Sequence, residues 1–472
     1  MAEKAKSSRW RKVLVICSVV VGIIVAMAWP YARQALMVAT GYSAKRLCSE
    51  VYIAQRSPED VWEVDLTLLP RELLSYTMMD DEKIVETSAL GLVSQKAVFR
   101  EGLGCTLTNG TTVARVQAMT YSPPKVESLQ DDIEWPLGKK VNANLPAGVD
   151  SAKLEAALDL AFEEPDPENN PVQTRAVVVV YDGKIVAERY GEGFDKTTPL
   201  LSWSMGKSVT NSLIGLLVKK GLLDVNKPAP LKMWQGLDDG HEKITTDDIL
   251  RMRSGLAFDE TYGAFGDVTD MLYASYAYAE RTGSSPVKQG EAQWYYSSGD
   301  TNLLTQIVRD VLADDARYHA FPTEELFHKI NIHGAVFETD PSGTFVGSSY
   351  VYMTARDWAR WGLLYLQDGM WNGERILPEG WVDYSCSLTP GTPLGEYGAQ
   401  FWLNRGNPEG SENRKFPSVP VDYCAAQGFE TQRVAMIPSR KAVIVRLGLT
   451  PKRGGFPEDR FFAAVLEALP GS

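Results

Sequence analysis

A serine followed three residues later by a lysine occurs three times in the chain, and one of the three lies in a helical pattern. The occurrence at Ser122 has two prolines in the turn that a helix would need. The occurrence at Ser285 is not followed by an apolar stripe. Ser204 and Lys207 instead open a segment with apolar residues at helical spacing, which ends at Gly221. The side chains of Ser204 and Lys207 are therefore predicted to lie one helical turn apart on the same face.

This spacing suits nucleophilic catalysis, in which Ser204 attacks a carbonyl group and Lys207 takes the hydroxyl proton. Ser204 falls in the first helical turn, where the helix dipole stabilises negative charge on its oxygen. Lys207 acts as a base only if burial lowers its pKa towards neutrality, and the apolar neighbours Trp203 and Met205 favour such burial. On the pattern alone, the alternative is a serine that caps the helix beside a solvated lysine.

Other catalytic patterns are missing from the sequence. Four histidines are present, none beside a candidate nucleophile, and they are interpreted as surface or core residues: His241, His319, His328 and His333. The absence of G-x-S-x-G excludes the nucleophile elbow of α/β-hydrolases. H-E-x-x-H, Walker and G-x-G-x-x-G sequences are also absent. We therefore expect no metal ion and no organic cofactor.

The charge of the chain bears on its partners. The 472 residues carry a net charge of −12, of which the first 12 residues contribute +4, so the remaining 460 residues sum to −16. A body this acidic repels polyanions, which argues against nucleic acid as a partner. A small molecule is the expected substrate.

The amino-terminal segment is predicted to address the chain to a membrane. Residues 13–29 carry no charge, bases precede them, and Trp29 and Tyr31 stand where an aromatic belt would lie. We expect a cytoplasmic tail over 1–12, a transmembrane signal anchor over 13–31 in the inner membrane, and a periplasmic or extracytoplasmic remainder. A signal peptide cleaved after Ala28 is the alternative, although Pro30 disfavours cleavage there. A buried helix of a soluble fold is a third reading.

Cysteine usage agrees with export. Apart from Cys17 in the apolar segment, four cysteines remain, which allow three pairings. Chain order favours Cys48 with Cys105 and Cys386 with Cys424, and four buried free thiols are the alternative.

The hydropathy pattern from residue 146 onwards predicts an α+β domain. Asp150 caps a predicted helix over 151–162, and a hairpin over 176–190 turns at Asp182-Gly183. Helices are expected over 204–220 and 354–366, a second hairpin over 433–447, and a final helix over 461–469. The two ends of the domain would thus form one antiparallel sheet, flanked by helices, around a mainly helical insertion. Residues 32–145 form an extracytoplasmic region of unassigned role, and 146–472 form the catalytic domain.

Five segments, in order along residues 150–470, resemble the superfamily of serine β-lactamases, penicillin-binding proteins and related esterases. The nearest resemblance is to its class C-like branch, in particular to 6-aminohexanoate-dimer hydrolases and carboxylesterases. The segments are LLSWSMGKSVTNSLIGLLVKKGLLDVNKPA, ILRMRSGLAFDE, WYYSSGDTNLLTQIV, YVYMTARDWARWGLLYLQDGMWNGERILPEGWV and AAQGFETQRVAMIPSRKAVIVRLG. The resemblance implies a β-lactamase/transpeptidase-like fold.

The resemblance also implies roles for individual residues. Ser204 matches the acylated nucleophile, Lys207 its general base, and Tyr296 the tyrosine that shuttles a proton to the leaving group. The oxyanion would be bound by the backbone amide of Ser204 and by one near Gly428. Ser298 occupies the last position of the tyrosine motif and would contact substrate.

Two departures from the family pattern shift the expected substrate. The tyrosine motif ends in Ser298 where asparagine is usual, and Gln427-Gly428-Phe429 replaces the Lys/His-Thr/Ser-Gly triplet. Both changes also occur in the amide hydrolase and esterase branch. We therefore expect a serine hydrolase of a small ester or amide. The alternatives are a D-alanyl carboxypeptidase or β-lactamase, and a catalytically silent binding protein on the same fold.

Overall fold

A computed structural model describes residues 2–67, 69–290 and 292–471 of the chain. Its helices are α1 (Ala2–Tyr52), α2 (Pro58–Asp60), α3 (Val113–Ala118), α4 (Ser151–Phe162), α5 (Gly206–Lys219), α6 (Thr246–Leu250), α7 (Asp267–Ala274), α8 (Tyr278–Gly283), α9 (Ser298–Leu312), α10 (Asp315–Pro322), α11 (Ala355–Leu366), α12 (Trp381–Ser385) and α13 (Glu458–Ala468). Its strands are β1 (Leu74–Met79), β2 (Ile84–Ala89), β3 (Val93–Arg100), β4 (Gly104–Leu107), β5 (Thr174–Tyr181), β6 (Lys184–Tyr190), β7 (Leu200–Leu201), β8 (Val336–Phe337), β9 (Val351–Met353), β10 (Met370–Trp371), β11 (Glu374–Arg375), β12 (Trp402–Leu403), β13 (Cys424–Gly428), β14 (Gln432–Ile437) and β15 (Ala442–Gly448).

The central sheet confirms the predicted α+β class. Six antiparallel strands lie in the order β12-β13-β14-β15-β5-β6, so the two ends of the domain meet where β15 pairs with β5. Ile444 lies opposite Val179 in that pairing. Both predicted hairpins are present, and the first turns at Asp182 and Gly183, which both have positive φ as a tight hairpin turn requires.

Helices cover both faces of this sheet. Val177 and Val179 of β5 pack in one core with α4 and α13, whereas Val178 and Val180 face the other core, which includes α5 and α11. Asp150 caps α4 as predicted, and α13 begins at Glu458, three residues before the predicted start. The stretch between β6 and β12 is mainly helical, as expected. The predicted helix over 204–220 is divided into a 3₁₀ turn, Trp203–Met205, and α5.

The amino-terminal helix is longer than the predicted anchor. α1 continues through Pro30 to Tyr52 as one helix of 51 residues. Residues 14–32 are exposed along their length, and this part of the helix is long and apolar enough to cross a membrane. Residues 40–50 are buried. The helix continues because its second half packs against β2, β3 and α7, contacts that the local sequence does not reveal.

Residues 32–145 carry a small antiparallel sheet in the order β1-β2-β3-β4, which the sequence analysis did not predict. A disulfide between Cys48 and Cys105 joins α1 to β4 of this sheet. A second disulfide joins Cys386 to Cys424 at the start of β13. Both favoured pairings are confirmed, the alternative of four free thiols is wrong, and Cys17 is free.

A buried ionic cluster fastens α1 to the central sheet. Asp65 is 2% exposed and lies 2.8 Å from Arg46, 2.7 Å from Arg56 and 2.7 Å from Arg175. Burial raises the pKa of Asp65, but Arg175, Arg46 and Arg56 outweigh that effect and hold the pKa well below its ordinary value. We call these four residues the Asp65 cluster. It contains charges from α1, from the segment after it, and from β5.

Candidate active site

Ser204 and Lys207 lie together at the amino-terminal end of α5. The Lys207 ammonium nitrogen, Nζ, is 3.1 Å from Ser204 Oγ, which places the amine within hydrogen-bonding distance of the hydroxyl. Lys207 is 1% exposed, whereas Ser204 is only partly buried. The alternative of a solvated lysine is therefore wrong, because this amine is enclosed by the protein.

Two further acceptors orient the Lys207 amine. Its Nζ donates to the backbone oxygen of Ser348 at 3.1 Å and to Ser298 Oγ at 3.0 Å. The Ser348 carbonyl cannot donate in return, and the Ser298 hydroxyl proton is directed elsewhere. A neutral amine has two N–H donors, and these two partners occupy both of them. The remaining lone pair then faces Ser204, as a base that accepts the hydroxyl proton requires.

The pKa of Lys207 is shifted towards this role. Burial lowers it from 10.5 to about 8, while the negative charge of Glu260 raises it. Burial in turn raises the pKa of Glu260, and Lys207 lowers it. The two groups therefore oppose the effect of burial on each other, and Lys207 can lose its proton near neutral pH.

Glu260 is a site residue that the sequence analysis did not identify. Its carboxylate accepts from Ser298 Oγ at 2.5 Å and from the Ser298 backbone amide at 2.7 Å. The Tyr262 hydroxyl lies 3.4 Å from the same carboxylate and 3.3 Å from Ser298 Oγ. Glu260 ends the segment ILRMRSGLAFDE, but no sequence pattern connects it to a serine 38 residues later.

Ser298, for which a contact with substrate is expected, lies inside the protein. It is the first residue of α9, is 0% exposed, and lies between Lys207 and Glu260. Its hydroxyl accepts from Lys207 and donates to Glu260. The Ser298 hydroxyl therefore links Lys207 to Glu260 inside the protein.

Tyr296 stands beside the Ser204 and Lys207 pair. Lys207 Nζ lies 4.8 Å from the centre of the Tyr296 ring. Burial raises the pKa of Tyr296, and a hydrogen bond with the Ser204 side chain lowers it. Trp402 and Tyr397 hold the ring at centroid distances of 5.3 and 5.8 Å. The Tyr296 hydroxyl thus contacts Ser204, and the Tyr296 ring is held by two neighbouring aromatic rings.

The end of β13 approaches the backbone of the nucleophile. A Cβ atom added at Gly428 would lie 2.3 Å from the Ser202 oxygen and 3.2 Å from the Ser204 amide nitrogen. Only glycine allows this approach, which brings two stretches of backbone together as an oxyanion site needs.

Backbone strain marks the residue before the nucleophile. Trp203 has a φ of +44°, a value that costs energy for a bulky side chain. Its indole N–H donates to Glu430 at 2.8 Å, and Tyr42 of α1 stacks on the ring at 6.4 Å. Arg46 of the Asp65 cluster lies 3.7 Å from Glu430. Through Tyr42 and Arg46, α1 therefore supports the backbone directly before Ser204.

Two cations lie near the position of the missing Lys/His-Thr/Ser-Gly triplet. Lys415 donates to the Gln427 side chain at 3.1 Å, and Arg433 donates to the Gly428 oxygen at 3.1 Å. Both are paired with Glu458, at 3.8 and 2.5 Å. The sequence pattern does not reveal these two cations, because they come from a loop and from β14 and not from β13 itself.

The remaining candidates lie elsewhere. Ser285 is buried and its backbone oxygen lies 3.0 Å from His241, and Ser122 is in an extended loop. His319 lies 2.8 Å from the Gly343 oxygen, and His328 contacts His333. In residues 2–67, 69–290 and 292–471 no group of three or more His, Cys, Asp or Glu side chains is arranged to hold a metal ion.

Comparison with known proteins gives the family. The family model described as Beta-lactamase matches residues 161–464. A 6-aminohexanoate-dimer hydrolase from Paenarthrobacter ureafaciens is 24% identical over 317 residues, which cover 62% of this chain and 77% of that protein.

Solved structures show the same fold. A family VIII carboxylesterase is 12% identical with a TM-score of 0.53, covering 70% of this chain and 99% of its own. The structure of SurE with D-Leu is 15% identical with a TM-score of 0.51, covering 67% of this chain and 76% of its own. Since the family model spans more than half of the chain and includes Ser204, Lys207, Tyr296 and Gly428, the chain belongs to the β-lactamase family and is a hydrolase of that superfamily.

Proposed function

We propose that the protein is a membrane-anchored, exported serine hydrolase that cleaves a small ester or amide through an acyl-enzyme on Ser204. The observation that carries this proposal is the buried Lys207 amine, 3.1 Å from Ser204 Oγ, with its two other contacts arranged to leave a lone pair for the hydroxyl. No histidine is needed in this arrangement, because burial already brings the pKa of Lys207 to about 8.

Acylation follows from these contacts. Ser204 Oγ forms a bond to the substrate carbonyl carbon while its proton moves to Lys207 Nζ. The resulting oxyanion is bound by the Ser204 amide and by a backbone amide at the end of β13 near Gly428. The leaving oxygen or nitrogen then takes a proton through the Tyr296 hydroxyl as its bond to carbon breaks. The acyl group remains on Ser204.

Deacylation uses the same groups with water as the nucleophile. Lys207 and Tyr296 take the proton of the attacking water, the same backbone amides bind the second oxyanion, and Ser204 Oγ leaves with a proton. Ser298 and Glu260 keep the Lys207 amine oriented during both steps, since Ser298 is bonded to both.

The substrate class rests on the departures from the usual family pattern. Ser298 is buried and has no atom available for a β-lactam amide, and the triplet that binds a β-lactam carboxylate is replaced. The named relatives are a 6-aminohexanoate-dimer hydrolase and a carboxylesterase, which act on an amide and on esters by their names. These features support a small ester or amide for this chain.

Residues 13–31 would form the anchor, with 1–12 in the cytoplasm, 32–145 as a brace for the catalytic domain, and 146–472 as that domain. The exposed apolar half of α1 supports the anchor, and the two disulfides support an oxidising compartment such as the periplasm.

Turnover of defined substrates tests the proposal. The full chain in detergent is assayed with p-nitrophenyl acetate, with the linear dimer of 6-aminohexanoate and with benzylpenicillin, beside Ser204→Ala. We expect hydrolysis of the ester or of the amide that disappears in the variant. Hydrolysis of benzylpenicillin alone would replace the proposal with a β-lactamase, and no turnover and no acylation by a folded chain would favour a silent binding protein.

A further inference from the structure

The catalytic domain touches α1 directly after the apolar stretch ends. The ring of Tyr31 contacts that of Phe265 at a centroid distance of 6.1 Å, and Gln34 donates to Asp270 at 2.8 Å. No linker separates the predicted membrane segment from the domain, because α1 continues without a break from that segment to the residues that contact the domain. The domain surface around Tyr31 is therefore fixed next to the end of the apolar stretch.

The hairpin formed by β2 and β3 points in the direction of that stretch. Phe99, near the base of the hairpin, contacts Tyr52 at the carboxyl end of α1 at 5.5 Å. Closer to the tip, Thr87 donates to the Thr40 oxygen at 2.6 Å, and Gln95 donates to the Met37 oxygen. Residues nearer the tip of the hairpin thus contact residues nearer the amino terminus of α1.

The tip reaches the level at which the apolar stretch ends. It carries Leu90 and Leu92, which are 60% and 59% exposed. Leu92 lies three residues beyond Gln95, about 10 Å along an extended strand. A length of about 10 Å corresponds to about seven residues of helix, which leads from Met37 to near Pro30. Two exposed leucines therefore stand beside the exit of α1.

A second exposed apolar group lies at the same level on a different element. Phe265 is 64% exposed and belongs to the loop 259–266, between α6 and α7. The same loop carries Glu260 and Tyr262, which contact Ser298 next to Lys207. The loop that contacts Ser298 beside Lys207 thus also contacts Tyr31.

We propose that Tyr31, Leu90, Leu92 and Phe265 form a rim that rests in the surface of a phospholipid bilayer, so that the loop 259–266, which borders the Lys207 site, lies at that surface. The inference rests on the proposed anchoring of α1. Exposed apolar side chains on separate loops, at one level and continuous with an apolar helix, fit the boundary of a bilayer, where aromatic and aliphatic side chains leave water. In water the same groups would remain an exposed apolar patch.

Site-specific fluorescence quenching tests this rim. The full chain is reconstituted in phosphatidylcholine vesicles, with and without a nitroxide-labelled phosphatidylcholine. A bimane label is attached to the free Cys17 of the natural chain, or to Leu90→Cys or Phe265→Cys in a Cys17→Ser background. Glu192→Cys is the matched control, because Glu192 is exposed and lines a cavity with Ile53 and Arg56, about 33 Å along α1 from Tyr31.

We expect the nitroxide lipid to remove most of the fluorescence at Cys17, Leu90→Cys and Phe265→Cys and to leave Glu192→Cys unchanged. Quenching at Cys17 without quenching at Leu90→Cys and Phe265→Cys would overturn the rim and leave the anchor intact. Absence of quenching at Cys17 would overturn the anchor and the rim together. Thermal unfolding of each labelled chain beside the unlabelled parent verifies that the label has not altered the fold.

Discussion

Asp65 and Lys207 are both buried charged residues, and they differ in how completely their charges are paired. Asp65 is in contact with three guanidinium groups, and its pKa is held well below the ordinary value. Lys207 contacts hydroxyl and carbonyl oxygens, and no carboxylate oxygen in the described part of the chain lies within 4.0 Å of its amine. Full pairing fixes a charge and makes it structural, whereas incomplete pairing leaves Lys207 close to neutrality and able to act as a base.

The two regions are also connected. Arg46 of the Asp65 cluster approaches Glu430, which holds the indole of Trp203 directly before Ser204. The strained backbone of Trp203 needs such a rigid support, because strain persists only where the surroundings enforce it. The Asp65 cluster thus helps to keep Ser204 and Lys207 in place.

Removing the Lys207 amine should have the largest effect on activity. Lys207→Ala is expected to lower the rate of acylation by about 10²–10⁴-fold, the range for loss of a general base. Lys227→Ala, which removes a lysine whose side chain is 75% exposed, should leave the rate unchanged. Stopped-flow acylation with p-nitrophenyl acetate measures both. A Lys207→Ala protein that retains the parent rate would show that Lys207 is not the base.

Breaking the Asp65 cluster should affect stability. Asp65→Asn leaves buried guanidinium groups without their carboxylate, which is expected to cost about 3–5 kcal/mol in the free energy of unfolding. Asp159→Asn is the control, since its carboxylate is 74% exposed where it meets Arg189, and it should cost about 1 kcal/mol or less. Urea denaturation in detergent compares the two. Equal costs would contradict a structural role for the cluster.

Glu260→Gln should shift the pH dependence with a smaller loss of rate. The base is the neutral amine, so kcat/KM rises with pH through the pKa of Lys207, about 8. The Glu260 charge raises that pKa, so its removal should lower the pKa and move the rise to lower pH. Glutamine retains an oxygen that accepts from Ser298.

Glu374→Gln, whose carboxylate is 64% exposed, is the matched control for the pH profile and should leave the rise in place. In Glu260→Gln, the rise of kcat/KM could stay at the parent pH or move to higher pH. Either result would refute the electrostatic link between Glu260 and Lys207.

Local patterns predicted much of the fold and the central pair of the site. Helical spacing gave Ser204 and Lys207 one turn apart, and a turn signal located the hairpin at Asp182. The bond between Glu260 and Ser298 was not predictable, because it joins a loop to the first residue of α9 through packing and not through spacing. The extension of α1 to Tyr52 was missed for the same reason, since its second half is stabilised by β2, β3 and α7.

The most direct test of the central claim is covalent labelling of Ser204. The full chain in detergent is treated with a fluorophosphonate probe, and its intact mass is measured beside Ser204→Ala and Ser285→Ala. We expect one adduct on the parent and on Ser285→Ala, and none on Ser204→Ala, because the Ser204 hydroxyl is partly exposed and lies 3.1 Å from the buried Lys207 amine, whereas Ser285 is buried. An adduct that survives in Ser204→Ala, or none on a folded parent, would contradict the account.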